Sequence, residues 1–209
     1  MVRSPTRSQK KPAGRYHHGD LRRALLDEAV RTIQSKGVEH LTLRLAGENL
    51  GVSRTALYRH FADKPALLAA VGVEGFRMLR EALFAAWEGH GRGQSGFDAM
   101  GATYVTFAID HPSHYRVMFG RFVESSTKDE AFETEARAAF QILVDAIIDQ
   151  QAGARVRPDD PVTMATFVWS VVHGIAMLAI DGQLCETGKT LESVHLYAIE
   201  RLRAALANS

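Results

Sequence analysis

A single cysteine, Cys185, in 209 residues leaves no partner for an internal disulfide. With no second cysteine nearby, it is a poor zinc ligand and reads as a small buried apolar side chain. Apolar and polar residues seldom alternate over β-branched stretches, which removes the usual signal for strands. The first residues, MVRSPTRSQKKPAG, are basic and lack the apolar core of a secretory signal, so they read as a disordered arm on a cytoplasmic protein. No Glu-x-x-His or Cys pair accompanies His111, His114 and His173, so no metal site is expected. No nucleophile, base and orienting acid form a recognisable set, which argues against an enzyme, and no cofactor is expected.

Two apparent phosphate motifs dissolve in context. GRGQSG, residues 91–96, matches G-x-G-x-x-G but follows a helix instead of a strand. GQLCETGKT, residues 182–190, has five residues between its glycines where a phosphate-binding loop has four. The run VTMATFVWSVVHGIAMLAI is nearly long enough to span a bilayer. Trp169, Ser170, His173 and Gly174 dilute it, and Asp159, Asp160 and Asp181 flank it, which suits a core or subunit-interface helix better.

What the chain does have is apolar residues at steps of three and four almost throughout, which predicts an all-α protein of about nine helices. A first helix is expected over Asp20 to Lys36, ended by Gly37. Thr42, Ser53 and Asp63 cap the next three: LRLAGENL, RTALYRHF and a long fourth helix reaching Trp87. A glycine-rich break, GHGRGQSG, precedes a fifth helix, PSHYRVMFG forms a sixth, and a seventh runs from about Lys128 to Gln151. The apolar eighth begins at Asp-Asp-Pro, and the ninth carries Leu191, Val194, Ala198, Leu202 and Ala205 on one stripe.

Charge divides unevenly. Residues 1–64 hold 13 basic and 6 acidic side chains, whereas residues 65–209 hold 12 and 18. The small N-terminal part therefore faces a polyanion. Within it, two short helices joined by Gly-Val-Ser form a helix-turn-helix, whose second helix fits the major groove of DNA. Ala46, Leu50, Val52, Leu57 and Phe61 are expected to pack the pair on the first helix, leaving Arg54, Thr55, Tyr58, Arg59 and His60 outward. Arg can bond guanine or phosphate, Thr offers a methyl group, and Tyr and His can hold phosphate. Lys64, opening the fourth helix, is placed to join that helix's free amides on a phosphate.

The stretch YHHGDLRRALLDEAV…GVEHLTLRLAGENLGVSRTALYRHFADKPALLAAV resembles the DNA-binding domain of the TetR family of transcriptional repressors. Thr42, Gly51, Val52, Ser53, Tyr58, His60, Phe61, Lys64 and Leu67 stand at motif positions. Gly47 and Leu50 occupy places where the family often has Ala. The resemblance implies that Arg54, Thr55 and Tyr58 touch bases or nearby backbone, and that Thr42, His60 and Lys64 contact phosphates. Arg15, Tyr16 and His17 of the arm add groove or backbone contacts, and Arg44, Ser53 and Arg59 complete the candidate set. More weakly, HPSHYRVMFG and the W-x-x-x-H-G of Trp169, His173 and Gly174 are similar to a subgroup of the family. The family pairs its last two helices across a twofold axis, which implies a homodimer that binds double-stranded operator DNA.

These readings divide the chain into the arm 1–15, a DNA-binding domain 16–64, and an effector-binding and dimerisation domain 65–209. A small, largely apolar effector is expected among Phe76, Tyr104, Phe107, Met118, Phe119, Phe140, Trp169, His173 and Met177. The expected function is a repressor that its effector releases from a palindromic operator. The alternatives are an enzyme carrying a DNA-binding fold, or an architectural DNA-binding protein that needs no effector.

Overall fold

The computed structural model describes residues 20–120, 122 and 130–207. Arg15, Tyr16 and His17, with the rest of the arm, lie outside the described residues. Ten α-helices follow one another: α1 (Asp20–Lys36), α2 (Leu43–Leu50), α3 (Arg54–Tyr58), α4 (Lys64–Gly89), α5 (Gly93–Asp110), α6 (Pro112–Phe119), α7 (Glu130–Ala152), α8 (Pro161–Ile180), α9 (Gln183–Glu186) and α10 (Leu191–Leu206). A 3₁₀ turn, Val38–His40, joins α1 to α2. Among the described residues there is no strand, only an isolated bridge between Val156 and Ala207.

Local chemistry accounts for most boundaries. The Thr42 hydroxyl accepts from the Leu45 amide at 3.0 Å, the Ser53 hydroxyl from Ala56 at 3.3 Å and the Asp63 carboxylate from Ala66 at 2.8 Å, each satisfying a free N–H of a first turn. Asp160 does the same for Thr163 ahead of Pro161. Gly51 ends α2 in the left-handed region at φ +66°, a conformation that disfavours side chains with a Cβ.

Three departures from the sequence reading have physical causes. The recognition helix ends at Tyr58 rather than Phe61, because the Leu57 carbonyl accepts from both His60 (3.0 Å) and Phe61 (3.2 Å), which tightens the last turn. Arg59 and His60 therefore stand in the turn after α3. The glycine-rich break shrinks to residues 90–92, since α5 already begins at Gly93. The link after α8 contains the short α9, and Cys185 on it is exposed instead of buried.

The helices enclose three hydrophobic clusters. The first unites α1, α2 and α3 with the start of α4 through Leu25, Ala29, Leu41, Ala46, Leu57, Phe61, Leu67 and Val71, all buried. Leu50 and Val52 pack against it partly buried. Glu28 ties α1 to α2 by accepting from Asn49 at 2.6 Å. Val117 of α6 is wholly buried in this same cluster, so a helix from the second half helps to close the first core. The second cluster joins α4, α5, α6, α7, α8 and α10 around Phe76, Leu79, Leu83, Trp87, Met100, Tyr104 and Tyr115. A third links the ends of α7 and α10 to α8 through Val144, Ile147, Met164, Val168, Leu202 and Leu206. Arg77 and Arg80 of α4 both pair with Glu135 of α7.

α8 is long and apolar enough to cross a membrane by length and composition. Its inward residues Met164, Ala165, Val168, Val172, Ile175 and Ala176 are instead buried against the helices around it.

Candidate nucleic-acid interface and internal cavity

α2, the Gly51 turn and α3 place the N-terminal candidates on one surface. Arg54, Thr55, Tyr58 and Arg59 are exposed, while Leu57 between them is 2% exposed and anchors α3 in the core. Tyr58 keeps 45% of its surface open, which leaves its ring and hydroxyl available on this face. The Arg54 guanidinium sits 5.6 Å from that ring's centre, which orients both side chains outward together. Thr42 and Ser53 spend their hydroxyls on capping. Arg44 pairs with Glu48 one turn along at 2.7 Å.

Lys64 is engaged differently from its neighbours. Its ammonium donates to the carbonyls of Val38 (2.8 Å) and Glu39 (3.3 Å), clamping the 3₁₀ turn to the start of α4. A phosphate contact from Lys64 would be made by a side chain that also holds the α1–α2 connection.

In the second half, the helices enclose a cavity of about 530 Å³. Of the nine residues expected at an effector site, Phe76, Tyr104, Met118, Phe119, Phe140 and Trp169 line it. Phe107, His173 and Met177 are outside its lining. Phe107 packs on His111 (ring centres 4.9 Å), and Met177 packs against the core. His173 stands just behind the wall. Its Nδ1 is 2.7 Å from the Tyr115 hydroxyl and 3.2 Å from that of Tyr104. Tyr104 in turn accepts from the indole N–H of Trp169 at 2.9 Å and from Tyr115 at 2.9 Å.

This network accounts for the W-x-x-x-H spacing, since positions four apart on α8 share a face and both reach the Tyr104 hydroxyl. Burial pushes the Tyr104 hydroxyl up to about 12 and raises that of Tyr115 further. Burial also lowers His173, which favours the neutral imidazole.

Two glycines of α4 let the cavity's roof approach. A Cβ on Gly72 would lie 2.3 Å from the Phe132 ring, and one on Gly75 would lie 2.6 Å from the Met118 sulfur. The other wall sets polar side chains among the apolar Val156, Ala198, Leu202 and Leu206. Gln94 and Asp98 of α5, Gln150 of α7, Arg155, and His195 and Arg203 of α10 all line the cavity. None of these six was marked by sequence. Gln94, Asp98 and Gly101 do share one helical face, but Gln94 and Asp98 meet Gln150 and Arg203 from 56 and 105 residues away. Tyr115, also unmarked, is fully buried.

Among the described residues there is no group of three or more His, Cys, Asp or Glu able to hold a metal. The rings of His111 and His114 are 6.1 Å apart, edge to face, and His114 lies 3.9 Å from Glu74.

Outside, α8 and α10 present a second surface. Val162, Phe167 and Leu178 of α8 and Leu196 and Tyr197 of α10 are all exposed, the last two at 59% and 62%.

A helix-turn-helix set on a helical domain with a central cavity defines a class of ligand-linked DNA-binding regulators, and comparison with known proteins gives the family. Residues 25–71 match the family model of bacterial regulatory proteins of the TetR family, and residues 97–202 match the tetracycline repressor-like C-terminal domain. The chain belongs to the TetR family of transcriptional regulators. It is 32% identical to a protein of unknown function from Rhodococcus sp. RHA1, with a TM-score of 0.83 over 93% of this chain and all of that one. It also shares its fold with a TetR-family regulatory protein from Rhodococcus RHA1 (20% identity, TM-score 0.68, 90% and 97% covered). A TetR-family transcription regulator from Marinobacter aquaeolei VT8 is similar in fold as well (18%, 0.71, 91% and 97%). No curated protein matches the sequence.

Proposed function

We propose that the protein is a homodimeric, cytoplasmic repressor that leaves a palindromic operator when a small molecule fills the cavity. One observation carries this reading. The two helices that bring Phe76, Leu79, Leu83, Met118 and Phe119 to the cavity also enter the core beneath the recognition helix. α4 does so through Leu67, Leu68 and Val71, and α6 through Val117. A ligand that shifts α4 or α6 at the cavity therefore shifts packing under α3. Release from DNA is then limited by the ligand's differential affinity for the two arrangements.

The exposed apolar residues of α8 and α10 support dimerisation through those helices, since an unpaired surface of this kind favours a self-complementary twofold contact. Two recognition helices held so would read half-sites about one helical turn, roughly 34 to 36 Å, apart. Within this reading Arg54, Thr55 and Tyr58 read bases and nearby backbone, and Thr42, Arg44, Ser53, Arg59, His60 and Lys64 hold the phosphate backbone. The arm residues Arg15, Tyr16 and His17 add contacts in the adjacent groove. Residues 16–64 form the DNA-binding unit, and 65–209 the effector and dimerisation unit.

Structures with and without a releasing effector test the coupling. The expected result is a changed relation of α4 to the effector domain. Release with that relation unchanged refutes it.

A further inference from the structure

The cavity is extended along α7, which lines it from Phe132 to Gln150, a rise of about 27 Å at 1.5 Å per residue. The two ends differ in chemistry. At the end nearer the DNA-binding helices, Phe76 meets Phe119 and Phe132 edge to face, at 5.4 and 5.3 Å between ring centres, beside Met118. At the far end, the start of α5 meets the end of α7, where Gln150 donates to Gln94 at 3.5 Å. The Arg155 guanidinium lies there against Gly93.

Polar capacity at the far end is left over. Asp98 is taken up by Arg203 and by the Gln94 amide (2.9 Å), so that pair adds no net charge. Arg155 has no acidic partner among the described residues. Gln150 is 2% exposed, yet its Oε1 has no hydrogen-bond partner. The ring nitrogens of His195, next along the same wall, are likewise buried and unpartnered. Buried polar atoms of this kind are costly unless met, and here they border the space a ligand would fill.

We propose that the effector is a slender long-chain carboxylate. Its hydrocarbon tail lies among Phe76, Phe119 and Phe132, and its carboxylate is held by Arg155 beside Gln150. At an advance of about 1.25 Å per tetrahedral carbon, set by a C–C bond of about 1.5 Å, a chain of roughly 14 to 18 carbons is about 16 to 21 Å long and fits within that wall, with the remainder left to the carboxylate and the Arg155 side chain. Arg155 supplies the cation that suits a carboxylate. This assignment rests on the cavity being the effector site.

The test is displacement of 1-anilinonaphthalene-8-sulfonate from the full-length protein by hexadecanoate, octanoate and methyl hexadecanoate, all below their micellar concentrations. A Gly101→Leu variant fills the middle of the cavity. A Cβ at position 101 meets only His195 Cε1, at 4.0 Å, so the backbone there accepts a side chain, and circular dichroism checks that the leucine variant keeps the fold.

Hexadecanoate should bind at least tenfold tighter than octanoate. Arg155→Met, a change at an exposed position, should weaken hexadecanoate at least tenfold and the methyl ester less than twofold. Equal affinity for the two acids, or equal loss of acid and ester, overturns the long-chain carboxylate. In that case, dye binding lost in Gly101→Leu would still leave the cavity as the effector site. Dye binding unchanged in Gly101→Leu overturns both.

Discussion

Tyr104→Phe is the change that most directly weighs the buried hydrogen-bond network on the cavity wall. The phenol oxygen accepts from Trp169 at 2.9 Å and from Tyr115 at 2.9 Å, and lies 3.2 Å from His173 Nδ1. Removing it leaves the Trp169 N–H without an acceptor at the edge of an apolar cavity. A stranded donor of this kind costs about 1–3 kcal/mol. For a chain of this length each kcal/mol lowers Tm by about 2–4 °C, so the loss should be roughly 2–12 °C. Tyr115→Phe should cost a similar amount, because it removes the 2.7 Å contact to His173 as well as the bond to Tyr104.

Because both mutations break one network, the double variant should cost less than the two singles together, with a coupling of about 0.5 kcal/mol or more. Urea unfolding followed by circular dichroism at fixed protein concentration gives all three values. Trp169 fluorescence should shift in the Tyr104 variant, while Trp87, buried elsewhere, supplies a constant background. Single variants within 0.5 kcal/mol of the parent, with an additive double, would show that these groups are satisfied without one another.

Other outcomes follow from the same structure. Arg54→Ala and Tyr58→Ala should weaken operator binding at unchanged thermal stability, and Arg54→Ala should also relax sequence preference by about 1–3 kcal/mol at its base pair. Lys64→Ala should lower both DNA affinity and stability, because the side chain also holds Val38 and Glu39. Unchanged Tm in Lys64→Ala would remove the clamp. Leu196→Lys with Tyr197→Lys should convert a dimer to monomer by light scattering, and a dimer that persists would exclude the α10 face.

Stability should also respond to pH in two separate windows. Burial lowers His114, His173 and His195 below their ordinary 6.5, so the unfolded chain takes up these protons first. Their contribution is complete above about pH 6.5 and is lost as pH falls towards the folded values. For Glu28, burial raises the carboxyl, but hydrogen bonds from Asn49 and Arg31 outweigh it and leave a net lowering. Its contribution is therefore present above the ordinary 4.5 and lost only below it. Glu28→Gln should remove the lower window alone, as read from urea midpoints between pH 7 and 3.

The helical plan was legible because its signals are local. Thr42, Ser53 and Asp63 cap within three residues of themselves, and the 3.6-residue stripes of α4 and α10 survive without any partner. The end of α3 was not legible, since it turns on the Leu57 carbonyl accepting twice, which no side-chain pattern reports. Cys185 looked like a core residue by type but rides on α9, a four-residue helix in a surface link. The aromatic side of the cavity was visible as residue types at helical spacing. Its polar side was hidden, because Asp98 and Arg203 become neighbours only when α5 and α10 pack. Val117 was hidden for the same reason. Nothing in PSHYRVMFG tells which core its valine will join.

The most direct test of the central claim is selection of bound sequences from random duplex DNA, followed by anisotropy titration of the best site against scrambled DNA at physiological salt. A dimeric, sequence-reading regulator should yield a palindrome with half-sites about one helical turn apart, bound at least roughly a thousandfold tighter than scrambled DNA. Uniform weak binding with a steep salt slope would contradict the account, because phosphate contacts alone would then supply the affinity.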